Sequence, residues 1–471
     1  MTNSAQASST ARTATPLRMR LSLMMFLQYF VQGAFLPVIS VYLQDALGFS
    51  ATQLGTFGAA LAIGPLVSPF IIGQLVDRHI STERVLAFCH LAGGVLMMVL
   101  YFQSSYTVVL VLGTLYSTLY APSMMLTNSL AFHHLVDRDR DFPVTRLWGT
   151  IGFIVPAWLV EPLFLSGLTG DELNSARGIV LAFAGIGGLV MGLYSLTLPH
   201  TPPHRDDKQE IAPGKVLGMF RLRNFCVLVL ISFVVALVHK FYFVWNSPYL
   251  KAILEQGEVV GAWEQRISSI GQVFEILVMA FLGFSIRRFG FKRTMTVGTI
   301  AYLVRCLIFA GVISIDAPFP VVMTGVCLGQ ALHGFCFGCF LAAAFMYVDR
   351  VAPVDVRGTM QNFYGTFVLG VGFLVGGLVS GNVGDRFTTA GDQPTVRARL
   401  GIESEAGLIH MTQERDGRKM EMLRDWTGIW LGGAALATVA LVGFVLLFPN
   451  DRNDENEVAG DQEPSQESDS A

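Results

Sequence analysis

Residues 225–250 read FCVLVLISFVVALVHKFYFVWNSPYL, and only His239 and Lys240 among them readily carry charge near neutrality. A membrane-spanning helix needs about 20 consecutive apolar residues, so this stretch alone is long enough to cross a bilayer. Runs of the same kind recur at roughly 20–44, 54–76, 85–103, 107–132, 147–166, 178–198, 267–286, 294–314, 319–347, 359–381 and 427–448. They are continuously apolar and do not alternate with period two, which excludes a barrel. The chain therefore reads as an all-α polytopic membrane protein with twelve transmembrane helices.

Composition agrees. Of 471 residues, 52% are hydrophobic and 14% charged, against about 25% charged in soluble domains, so no sizeable soluble domain fits. A net charge of -3 gives no reason to expect a nucleic-acid partner. The six cysteines (89, 226, 306, 327, 336, 339) all fall in apolar runs, where they read as small buried hydrophobes. Cys336 and Cys339 have a CxxC spacing but lack the context of a redox site. The sequence has no phosphate-binding GxxxxGK[ST], HExxH or EF-hand pattern, which favours a secondary transporter that needs no cofactor over an ATP-driven pump or an enzyme.

Lys and Arg concentrate in alternate connections, for example Arg78 and Arg84, Arg138, Arg140 and Arg146, and Arg287, Arg288, Lys292 and Arg293. The intervening loops before the last one hold only Arg177, Lys251 and Arg266. By the positive-inside rule both termini are expected in the cytoplasm, in a cytoplasmic (inner) membrane. The exception is the charged segment 382–424, read as a solvated extracytoplasmic insertion, with a short amphipathic helix near 403–422 as an alternative. The polar tail 1–19 and the acidic tail 449–471 lack the material for a core.

The chain repeats itself. GQLVDR at 73–78 has a counterpart in GFSIRR at 283–288, and Val136-Asp137-Arg138 with Arg146 in Val348-Asp349-Arg350 with Arg357, both about 210 positions further on. Two six-helix bundles, 20–198 and 223–448, follow, joined by a Pro-rich and charged linker, 199–222. Such parallel pseudo-repeats are expected of a major facilitator, whose substrate sits near the midplane between the halves.

Ionisable side chains inside spans are costly, and each is a functional candidate. They are Glu275, His239, Lys240, Arg305 and His333, with Arg146 at the mouth of span 5. Glu275 is the sharpest, because a desolvated carboxyl can exchange a proton as the site fills, and Gln272 lies one turn away on the same face. His239 and Lys240, being adjacent, point in different directions, so one is expected to face the cavity while the other snorkels or pairs. Arg305 reads as structural. Phe153, Tyr242, Phe335 and Phe337 accompany these positions and suit a planar ligand held by stacking.

The segment DFPVTRLWGTIGF, 141–153, resembles the DFPxxRxWGTIGF signature of bacterial nucleoside:proton symporters, the nucleoside permease branch of the major facilitators. Further matches are Phe26-Leu27-Gln28 with Gly33, Cys89-His90, LTLPH at 196–200, Gln272 with Glu275, GGLVSG at 376–381, and Asp425-Trp426 with Trp430. The resemblance implies proton-driven nucleoside uptake through a pocket between the halves. It implies that Arg146, Thr150 and Phe153 serve the pocket from the first half, and Gln272, Glu275 and Phe337 from the second. His239 and Tyr242 stand where the family has amides, and His333 is followed by Gly338 where the family commonly has an acidic residue, which leaves Glu275 as the expected proton carrier. The expected binding set is thus Arg146, Thr150, Phe153, His239, Tyr242, Gln272, Glu275, His333 and Phe337, in a protein functional as a monomer. A symporter for another polar solute such as a sugar, or a transport-dead membrane sensor, are the rival readings.

Overall fold

The computed structural model describes residues 13–67, 80–203, 223–352, 357–390, 393–400, 405–415 and 418–449. The first twelve residues, the GQLVDR connection, most of the linker and the acidic tail lie outside the described residues. The described spans are α1 (Thr15–Ala46), the shorter apolar α2 (Ala51–Val67), α3 (Thr82–Tyr101), α4 (Tyr106–His134), α5 (Arg140–Leu165), α6 (Gly170–Ser195), α7 (Arg223–Gln256), α8 (Glu264–Val312), α9 (Phe319–Val351), α10 (Phe363–Arg386) and α11 (Trp426–Leu447).

Eleven helices make twelve spans because α8 contains two. Gly290 within it has φ 82° and ψ 172°, a left-handed conformation that favours glycine. Ser285 and Thr294 hydrogen-bond at 3.0 Å across it, whereas nine residues of straight helix would separate them by about 13 Å. The chain folds back at Gly290, so the eighth and ninth expected spans are both present.

Local chemistry sets the helix starts. Ser50 and Gln53 form a reciprocal capping box on α2, and Asp425 accepts the Gly428 N–H at 2.8 Å to open α11. In the first half, α1 and α5 touch backbone to backbone: a Cβ on Gly152 would sit 2.1 Å from the Phe26 carbonyl oxygen. Glycine inside the signature segment is therefore a packing requirement. In the second half α7 is the buried centre, and Tyr249, Phe309 and Trp430 interlock with ring centroids 4.8–5.3 Å apart.

The charged insertion differs from expectation. α10 continues to Arg386, and the segment that follows carries three strands, β1 (Thr388–Ala390), β2 (Leu408–Arg415) and β3 (Arg418–Asp425), in the order β1-β3-β2. All pairing is antiparallel, with Thr388 opposite Arg424 and Met411 opposite Met422. The alternative of a helix near 403–422 is overturned. Met420 and Met422 stand two apart, the period of a strand, and β3 finds pairing partners on both sides.

Candidate functional site

α5 starts where Asp137 accepts the Arg140 N–H at 3.2 Å. Spacings of four and three then set Arg146, Thr150 and Phe153 along one face. The Arg146 guanidinium lies 4.1 Å from the centroid of the Tyr29 ring, Thr150 is half-buried, and Phe153 reaches the interface between the halves.

From the other half a polar chain crosses three helices. The Tyr242 hydroxyl donates to Gln330 Oε1 at 2.6 Å, Gln330 Nε2 donates to Asn246 Oδ1 at 2.7 Å, and Asn246 Nδ2 donates to Ser268 Oγ at 2.7 Å. Each amide is fixed by its neighbour, so the edge facing inward is rigid. A small cavity opens against this chain, lined by Pro37 and Phe153 from the first half and by Tyr242, Phe243, Asn246, Ser268 and Gln272 from the second. One turn further along α8, Glu275 Oε2 lies 4.0 Å from His333 Nε2 with its side chain 20% exposed, close enough to Arg146 for the two charges to interact.

The remaining expected residues form the wall behind Tyr242. His239 Nδ1 and the Tyr302 hydroxyl hydrogen-bond at 2.7 Å, and the His239 ring stacks on His333 at 5.5 Å. Phe337 closes the same cluster, 6.3 Å from His239, while Phe335 is exposed. The structure thus brings Phe153, Tyr242 and Gln272 into the cavity lining, sets Glu275 a turn away, and holds His239, His333 and Phe337 one layer back.

The surroundings of Arg305 are now defined, and the expectation for His239 and Lys240 requires correction. Arg305 is fully buried against the site: its guanidinium lies 4.0 Å from the centroid of the Tyr242 ring, and its Nη1 is 3.1 Å from His333 Nδ1. The fold of α8 at Gly290 returns span 9 to the back of the cavity wall, which a span-by-span reading does not reveal. Lys240 does not snorkel, and neither it nor His239 lines the cavity. It is buried, with its chain against Gly58 and Gly376.

Asn246, Ser268 and Gln330 were not singled out as site residues. A signal for two of them was present. Asn246 lies four residues after Tyr242 and Ser268 four before Gln272, the spacing that aligns side chains on a helix. Gln330 has no such signal, since only tertiary packing brings it to Asn246.

Between described residues, the hydrogen bonds and ion pairs joining the two halves gather at the end of the bundle that carries the sheet. Arg177 meets Glu264 at 2.6 Å with both side chains at most 2% exposed, Arg266 meets Glu161 at 2.6 Å, and Lys251 meets Asp45 at 2.8 Å. Gln265 Nε2 donates to the Gly33 carbonyl at 2.7 Å, and Thr52 N–H donates to Asp385 at 3.3 Å. β3 joins in through Arg424, which donates to Gln44 of α1 and lies 5.1 Å and 5.5 Å from the Trp245 and Trp426 rings. Burial pushes the Arg424 guanidinium down to about 10, opposed by Asp45 and Asp385, so it remains cationic near neutrality. The cavity lies directly beneath this closed end.

Residues 15–453 match the family described as "Nucleoside H+ symporter". The chain is 30% identical over 442 residues to a protein described as "Putative nucleoside transporter YegT" from Escherichia coli (strain K12), covering 93% of this chain and 95% of that one. It is 27% identical over 391 residues to "Xanthosine permease" from the same organism, covering 80% and 90% respectively. Among solved structures, that of the nucleoside transporter NupG superimposes with a TM-score of 0.75 at 22% identity, over 92% of this chain and 100% of that one.

Proposed function

Since the chain belongs to the nucleoside H+ symporter family, we propose that it takes up nucleosides with protons by alternating access, with Glu275 carrying the proton. It is a multi-pass membrane transporter of the major facilitator fold and not an enzyme. The observation that carries the mechanistic reading is the cavity between the halves, where an aromatic from each half, Phe153 and Tyr242, meets the fixed edge of Asn246 and Ser268, with Gln272 beside it.

A flat base stacks on an aromatic face, and its polar edge needs rigid donors and acceptors. Both are supplied here. Glu275 adds a group that gains or loses charge within reach of Arg146 and His333. Coupling requires proton and nucleoside to favour the same conformations, and a carboxylate set between elements of both halves meets that requirement. Positive loops at the opposite end from the sheet support a cytoplasmic-membrane orientation with both termini inside and the closed end outside. Arg146, Thr150, Phe153, Tyr242, Gln272 and Glu275 form the inner set, with His239, His333 and Phe337 positioning it, and a single chain supplies the whole set.

The test is uptake of radiolabelled inosine and uridine into proteoliposomes. Accumulation above equilibrium with an inward proton gradient, abolished by a protonophore, is expected. Absence of gradient-sensitive accumulation for any nucleoside would overturn the proposal.

A further inference from the structure

A histidine has two ring nitrogens, and the partner of one decides whether the other carries the proton. In His333 of α9 both are accounted for. Its Nδ1 lies 3.1 Å from Nη1 of Arg305. A guanidinium has N–H donors, no acceptor, and stays protonated in proteins, so in this contact Arg305 donates and Nδ1 offers its lone pair. The ring's single proton is therefore on Nε2, the nitrogen that lies 4.0 Å from Glu275 Oε2. A shift of about 1 Å turns that separation into a hydrogen bond. A second proton, on Nδ1, would set two N–H groups against each other beside a fixed cation.

Both members of the pair are held. The Arg305 guanidinium lies 4.0 Å and 5.2 Å from the ring centroids of Tyr242 and Tyr302. Its Nε and Nη2 have no hydrogen-bond partner among the described residues, which leaves Nη1 and His333 as its directional contact. The His333 ring stacks on Tyr242 at 5.1 Å and on His239 at 5.5 Å, with Phe243 edge-on at 5.9 Å. A Cβ on Gly271 would lie 2.9 Å from the His333 Cβ, so α8 presses on its base. The charged and titratable groups around His333 are thus Arg305 and Glu275 of α8, His239 and Tyr242 of α7, and Cys336 on α9 itself, with Arg146 of α5 beyond Glu275.

We propose that Arg305 is a positioning residue for the proton step: it fixes His333 as a neutral Nε2–H donor facing Glu275 and bars that histidine from carrying a proton. This rests on the reading of Glu275 as the proton carrier. When Glu275 sheds its proton, the carboxylate left behind meets an N–H bond already turned toward it. The proton does not pass to His333, because Nε2 already holds one and Nδ1 is taken. It leaves instead by the water that reaches the Glu275 side chain, which is 20% exposed.

NMR of the full-length protein in lipid bilayers, labelled at histidine with the heavy nitrogen isotope, separates protonated from bare ring nitrogens. The His333 signals are those lost in His333→Gln. In the unmodified protein they should show the neutral Nε2–H form, unchanged from about pH 5 to pH 8, the range in which a free histidine titrates. Arg305→Met removes the donor, so His333 should become an imidazolium toward the lower end of that range, paired with Glu275. Arg305→Lys, again a donor without an acceptor, should restore the neutral form. An Nδ1–H form or an imidazolium in the unmodified protein would overturn the proposal, as would a His333 that stays neutral with Nδ1 bare in Arg305→Met. If Arg305→Met does not fold, the form and pH-invariance of His333 in the unmodified protein decide alone. Absence of gradient-driven nucleoside accumulation is a failure of the transport reading alone, since the His333 signals are read without transport.

Discussion

At the scale of single residues, Glu275 and Tyr242 divide the work. Glu275→Gln keeps the shape and removes the titration, so proton-driven accumulation should be lost while exchange of labelled for unlabelled nucleoside persists; concentrative uptake surviving in that variant would remove Glu275 from the proton path. Tyr242→Phe keeps the ring but leaves Gln330 Oε1 without its donor, a loss of about 1–3 kcal/mol. Measured as nucleoside-induced thermal stabilisation, affinity should fall roughly tenfold or more. The sequence already exposed Glu275, His333, Lys240 and Arg305 as candidates, because charge in an apolar run is conspicuous. It set Glu275 first but could not place Arg305 and Lys240, since the neighbours they meet lie on other helices.

At the scale of elements, the contacts that hold the closed end are charged and buried. Arg177 of α6 and Glu264 of α8 are the clearest pair, and removing one partner strands the other in low dielectric at a cost of about 3–5 kcal/mol. Arg177→Met should therefore open this end, read as faster thiol labelling of a cysteine placed at Ser269, which is buried in the closed arrangement. The double variant Arg177→Met with Glu264→Leu should bring labelling back down. A different element test leaves the cavity untouched. α2 and α10 approach so closely that a Cβ on Gly377 would lie 2.5 Å from the Ala59 nitrogen, so Gly377→Leu should abolish uptake by wedging the halves apart. The spans themselves were legible from length and hydropathy. The three strands were not, because β2 and β3 are charged and short, and only pairing with each other makes them regular.

For the whole molecule, the duplicated charge motifs point to two bundles, and a cavity between them is what that symmetry leads one to expect. What symmetry does not predict is the bias of this arrangement, with ion pairs and hydrogen bonds gathered at one end and the cavity beneath them. Transport requires that this end release, so its contacts set the height of one step in the cycle. Arg424 sits within that closure, between Trp245 of α7 and Trp426 of α11, and its bond to Gln44 must break when the halves part. Two of the protein's six tryptophans are thus held beside a cation in one conformation and released from it in the other. Their emission makes the opening of this end visible in the unlabelled protein, as a spectral shift that a rapid mixer can follow in real time.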